Sequence, residues 1–127
     1  MKRLIGLGLA GMAALLASCG SEQETSRAER PAVRPPEPAC AQARTTLRTD
    51  YRDSGLLFEE TGEALISRQR WMRMSEGARD ALIQPLAVVA ACSADTPQRE
   101  VQVTVRDEAG MVLETRHVRP STDFRTR

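Results

Sequence analysis

The sequence predicts a small α+β domain, and three observations carry that prediction. Val101, Val103 and Val105 alternate with Gln102 and Thr104, the period-two pattern of a strand with one wet face. Ser75 precedes a stretch from Glu76 to Ala91 in which Ala78, Leu82, Leu86, Val89 and Ala90 recur at helical spacing. On either side of that helix, Glu59-Glu60-Thr61-Gly62-Glu63 and Arg106-Asp107-Glu108-Ala109-Gly110 have the length and glycine content of hairpin connections. The resulting β-β-α-β-β order points to a two-layer domain, one main helix packed on a four-stranded antiparallel sheet.

Taken in chain order, residues 40–51 have the makings of a short helix with Ala43 and Leu47 on one face, weakened by its threonines. Gly55-Leu56-Leu57-Phe58 and Ala64-Leu65-Ile66-Ser67 flank the first turn and read as two antiparallel strands, with a continuous helix from Glu59 to Trp71 as the competing assignment. The main helix contains Pro85, which lacks a backbone donor and crowds the preceding turn, so a kink or two consecutive helices is expected there. After the loop at 93–97, the valine-rich strand and the segment from Met111 to Val118 make the second hairpin. Aromatic side chains are scarce, so the core must be aliphatic, with Trp71, Phe58 and Tyr51 as its few large pieces.

The N-terminus reads differently from the rest. Met1-Lys2-Arg3 is followed by an apolar run from Leu4 to Leu16 and then by Leu16-Ala17-Ser18-Cys19, a charged start, a hydrophobic stretch and small residues at a cleavage point. These residues resemble the lipobox signal peptide of bacterial lipoproteins. The resemblance covers the first 19 residues only. It implies removal of residues 1–18, lipidation of the Cys19 thiol and a membrane anchor of two or three acyl chains, enough for stable attachment. In the enterobacterial members of that family an Asp after the lipidated Cys retains the protein at the inner membrane. Gly20 stands there in this chain, which implies the outer membrane, facing the periplasm.

Residues 19–39 are polar and end in Pro31, Pro35, Pro36 and Pro38, the composition of a disordered tether that extends roughly 60 Å at ~3.1 Å per residue when stiffened into polyproline. The folded region is then expected over 40–119, with 120–127 as a loose tail. Removing Lys2 and Arg3 from the 18 basic residues leaves 16 against 17 acidic ones, a balance of −1 that gives nucleic acid no electrostatic footprint. Every basic residue other than Lys2 is an Arg, as expected of a GC-rich genome.

Of the three cysteines, Cys19 is assigned to lipid, leaving Cys40 and Cys92 as an even pair in an oxidising compartment. A structural disulfide between them is the expected arrangement; free thiols are the alternative. No Cys-x-x-Cys is present and His117 is the only histidine, so neither redox chemistry nor a metal site is expected. The same scarcity bears on catalysis. Nucleophilic hydrolysis needs a base beside the nucleophile, and His117 lies at a strand end among Arg116 and Arg119. The carboxylate pairs Glu59 and Glu60, and Asp107 and Glu108, fall in turns, where charge keeps a loop in water. The expectation is a protein that is not an enzyme and carries no cofactor.

One cluster stands apart. Ser67-Arg68-Gln69-Arg70-Trp71-Met72-Arg73-Met74 places Arg68, Arg70 and Arg73 around the only Trp. Arg and Trp are favoured at binding hot spots, so Arg68, Arg70, Trp71 and Arg73 form the candidate binding set. The competing interpretation puts Trp71 in the core and leaves the arginines in water, since the chain has few aromatics to spare. The functional expectation is a lipid-anchored envelope accessory protein that binds another envelope protein through this segment or a sheet edge. An inhibitor of a periplasmic hydrolase such as lysozyme is the alternative.

Overall fold

The computed structural model describes residues 31, 32 and 34–121. The lipobox, Cys19 and most of the expected tether lie outside the described residues, as does the tail from 122 onward.

Eight elements follow one another among the described residues. They are helix α1 (Glu37–Asp50), a 3-10 turn (Arg52–Ser54), strands β1 (Leu57–Phe58) and β2 (Glu63–Leu65), helices α2 (Arg68–Arg73) and α3 (Glu76–Ser93), and strands β3 (Val101–Arg106) and β4 (Val112–Val118). The α+β class and the hairpin–helix–hairpin succession are as the sequence predicts.

The folded region begins earlier than Cys40. Pro35 is buried, the Pro36 carbonyl accepts from the N–H groups of Ala39 and Cys40 at 2.9 and 3.1 Å, and α1 starts at Glu37. The proline cluster placed in the tether is therefore in part a helix start. Pro38 stands in the first turn, where a missing N–H costs nothing. Arg34 reaches across to donate to the Cys92 carbonyl at 3.3 Å and the Asp95 carbonyl at 3.0 Å.

The first hairpin forms, and the competing helix through Glu59 does not. Glu59 and Glu63 bond across the turn at 2.8 Å, and Gly62 closes it by donating to the Glu59 carbonyl at 3.1 Å. Gly62 has φ +94°, and a Cβ there would meet Ala90 Cβ at 3.0 Å and the Gln102 carbonyl at 3.1 Å. Glycine is thus required both by the backbone and by the approach of the turn to α3 and β3.

Ser75 caps α3, its hydroxyl accepting from Ala78 N–H at 3.1 Å. The helix then runs unbroken through Pro85 to Ser93, so the division into two helices does not occur. The carbonyl that Pro85 leaves without a donor belongs to Ala81, which is exposed and can bond water. Spacing alone suggests one buried side for α3. Instead Leu82, Ile83, and Pro85 through Ala91 are all buried, because α1 packs on the helix as well as β3. Cys40 near the start of α1 is bonded to Cys92 at the end of α3, with S–S 2.00 Å and Cα–Cα 6.1 Å. The expected pairing is the one present.

The sheet order is β1-β2-β3-β4, and here the expectation of an antiparallel sheet is corrected. Both hairpins are antiparallel, but β2 and β3 are parallel, Glu63, Ala64 and Leu65 lying opposite Thr104, Val105 and Arg106. The physical reason is the crossover. After β2 the chain climbs back along α3 before entering β3, so both strands start from the same end, as a helical connection allows and a tight turn does not. Ala64, Val101, Val103 and Val105 are buried with Leu82, Leu86 and Val89 in one aliphatic core.

Candidate interaction surface

The structure divides the arginine–tryptophan cluster rather than assembling it. Ser67 caps α2, its hydroxyl accepting from Arg70 N–H at 3.1 Å. With only six residues in the helix, the four candidate side chains diverge. Trp71 points into the core and is 3% exposed. The guanidinium stacked on its ring is none of the three expected; it belongs to Arg79 of α3, 4.6 Å from the ring centroid, which also donates to the Trp71 carbonyl at 2.8 and 3.2 Å. Arg70 and Arg73 are exposed, Arg70 beside Asp50, Tyr51 and Met74. Arg68 turns away toward the second hairpin. As a four-residue binding patch the set is corrected, since a buried Trp71 cannot meet a partner together with surface arginines.

Arg68 takes part in a local polar hub. Its Nε donates to Asp107 Oδ2 at 3.1 Å, and its N–H donates to Glu108 Oε2 at 2.9 Å. Asp107 is buried, and its other oxygen accepts from Met111 N–H at 2.8 Å and Ala109 N–H at 2.9 Å, which shapes the β3–β4 turn. Donation from Met111, with smaller help from Arg68 and Ala109, holds the Asp107 carboxyl below its ordinary 3.8 and outweighs the opposing effect of desolvation. A carboxyl lowered in the folded state stabilises the fold above its unfolded value and loses that contribution as pH falls through the folded one. Stability is therefore expected to fall more steeply below pH 3.8 in the native chain than in Asp107→Asn, as read from denaturant midpoints between pH 2 and 5. Equal slopes would remove Asp107 from the acid response.

A different surface emerges from the register. On the sheet face away from α3, Leu57, Leu65, Arg106 and Val112 fall opposite one another in a single row across all four strands. Leu57 is 66% exposed, Leu65 39% and Val112 50%, and Met111 next to Val112 is 61% exposed. Glu63 follows on the same face with a long contact to Arg106 at 3.9 Å, then Thr104 and Thr115, then Gln102 and His117. One end of the face thus carries apolar side chains on either side of Arg106, and the other end is polar. The alternation in β3 predicts that Gln102 and Thr104 face water. Gln102 is exposed, but Thr104, though on this face, is only 7% exposed between its strand neighbours Glu63 and Thr115, so the wet side of β3 is narrower than the pattern suggests. The sequence cannot show which of the consecutive residues Leu56, Leu57, Leu65 and Ile66 are left in water, because that depends on the pairing register.

The remaining titratable candidates are dispersed. His117 is exposed near the outer end of β4, Glu59 and Glu60 are exposed in the first turn, and Glu60 is held by Arg44 of α1 at 3.0–3.3 Å. Among the described residues no three His, Cys, Asp or Glu side chains converge as metal ligands, and no helix is long and apolar enough to cross a membrane. No family model matches the chain, and neither a curated protein nor a solved structure is similar to it.

Proposed function

We propose that the protein is a lipid-anchored envelope accessory protein that acts without catalysis, its domain binding another envelope protein through the uncovered sheet face. The observation that carries the binding reading is the exposed row Leu57, Leu65 and Val112 with Met111 beside it. Four exposed apolar side chains gathered around Arg106 on one sheet face are more than scattered single residues would leave in water, which is what a binding surface requires. The anchor rests on the lipobox residues Leu16 to Cys19, and the Cys40–Cys92 bridge fits the oxidising compartment to which such a leader sends a protein. Outer-membrane placement rests on Gly20.

The test uses the full chain in cells, with a photo-crosslinking amino acid at Leu65 and capture under denaturing conditions. One dominant partner is expected, lost when Leu57→Ser and Val112→Ser are combined and retained when Arg70→Ala and Arg73→Ala are combined. Capture that is insensitive to the first pair would overturn the face as the binding surface. In parallel, an alkynyl palmitate label should enter the chain and vanish in Cys19→Ser. A label that persists there would overturn the anchor.

A further inference from the structure

β4 is the longer of the sheet's two edge strands, with β3 as its strand neighbour among the described residues and the two-residue β1 at the other edge. Which of the β4 backbone groups face outward follows from hydrogen bonds one strand away. Thr104 donates to the Gly62 carbonyl at 3.2 Å, and the Arg106 carbonyl accepts from Ile66 N–H at 3.0 Å, so both residues turn their backbone groups toward β2. In an antiparallel ladder the residues opposite them belong to non-bonded pairs and point their own groups the other way. Thr104 lies opposite Thr115, Arg106 opposite Val112, and Gln102, by the same alternation, opposite His117. The N–H and C=O groups of Val112, Thr115 and His117 therefore line the open edge of β4.

The side chains of β4 are arranged about its midpoint. The strand spans Val112–Val118, so Thr115 is central. Glu114 before it and Arg116 after it share the helix-covered face and pair at 2.7 Å, and Arg116 also pairs with Asp80 of α3. Inward charges on an edge strand ordinarily turn away an arriving strand, because the newcomer must supply matching charges. β4 itself is a strand that supplies them.

We infer that two copies of this chain pair antiparallel through β4 about a two-fold axis at Thr115, forming a continuous eight-stranded sheet. This register sets Glu114 of each copy opposite Arg116 of the other, so that every neighbouring charge is of opposite sign. Moving the axis to Arg116 or to Glu114 would place like charges face to face, so the charges select the register. The outward groups match as well. Thr115 meets Thr115, and because Leu113 is the extra residue of the bulge beside Val105, Val112 of one copy meets His117 of the other. Pro120, without an N–H, ends the ladder beyond Val118. The two copies of α3, each over its own β3, would stand about 14 Å apart across three strand spacings, against roughly 8–10 Å for packed helices. That gap accommodates the side chains of Asp80, Glu114 and Arg116. The two uncovered faces lie on the same side of the extended sheet, so the pairing does not depend on what binds there.

The test uses the full chain carrying Cys19→Ser, so that an introduced thiol is the only one outside the disulfide. In the proposed register the Thr115 Cα atoms lie about 5.5 Å apart, within disulfide reach. Mild oxidation should therefore convert Thr115→Cys to a covalent dimer and leave Thr49→Cys, on the exposed side of α1, monomeric. Adding Glu114→Arg, or separately Arg116→Glu, should cut the dimer yield by ~tenfold or more, because each sets like charges opposite one another twice. Mixing these two variants should restore it as a heterodimer, because every cross-strand pair is then again of opposite sign. Glu114→Arg leaves the Asp80–Arg116 pair in place, so a native circular dichroism spectrum is expected for it. A natively folded Thr115→Cys chain that stays monomeric, equal crosslinking from Thr49→Cys, or a yield indifferent to the charge changes would each overturn the inference.

Discussion

Reduction of the Cys40–Cys92 bridge is expected to lower the melting temperature of the domain by roughly 15–30 °C. Closing a loop across a sequence separation of 52 contributes on the order of 4 kcal/mol in the chain-entropy treatment, and in a domain this small each kcal/mol shifts the midpoint by about 4–8 °C. Typical domains hold only ~5–15 kcal/mol in total, so the bridge is a large share of what keeps this one folded. Its position sharpens the prediction. α1 reaches the core mainly through Ala43 and Leu47, and the disulfide ties its first turn to the last turn of α3. The Arg34 contacts to the Cys92 and Asp95 carbonyls lie at the same junction. The loss should therefore begin with fraying of α1, visible as reduced helical signal before the main transition. Far-UV circular dichroism melts with and without reductant, repeated for Cys92→Ser, measure it. An unchanged midpoint with both thiols titrating as free would show that α1 is held by packing alone.

Trp71→Ala is expected to cost about 3–5 kcal/mol, the range for truncating a buried large aromatic. α2 has six residues, and beside the Ser67 cap, the Arg68 contacts to Asp107 and Glu108 and the Arg79 bonds to the Trp71 carbonyl, the Trp71 side chain is its one buried anchor in the core. Removing the indole leaves a cavity and takes away the ring under the Arg79 guanidinium, which would then hold only the residue 71 carbonyl. Arg70→Ala and Arg73→Ala should each change stability by less than ~0.5 kcal/mol, as is usual for exposed side chains away from networks. Urea denaturation followed by circular dichroism separates the cases, and the native tryptophan emission should be blue-shifted because the single indole is buried. A Trp71→Ala chain of unchanged stability would return the residue to the surface and revive the cluster as a binding patch.

Local chemistry accounts for what was legible without coordinates. Gly62 and Gly110 mark turns because a positive φ is needed there, at +94° and +84°. Ser75 marks a helix start because its hydroxyl satisfies an orphan N–H, and alternating valines mark a strand because successive side chains point to opposite faces. The pairing of Cys40 with Cys92 follows from arithmetic if the lipobox resemblance takes Cys19 for lipid. The proposed lipobox would likewise be a local code, and its residues lie outside the described part of the chain.

Distance along the chain accounts for the rest. Trp71 and Arg79 are eight residues apart, Arg68 and Asp107 are 39 apart, and Leu57 and Val112 share a row although a helical crossover separates their hairpins. Antiparallel and parallel pairing of β2 with β3 present similar strand sequences; the direction of α3 over the sheet decided between them. The same holds for α3, whose second buried side exists because α1 is stapled against it. Periodicity reports which side of an element is apolar, within a few residues. Which neighbour covers that side, and which apolar residues are left facing water, depends on contacts between residues far apart in the chain, and only the folded packing decides them.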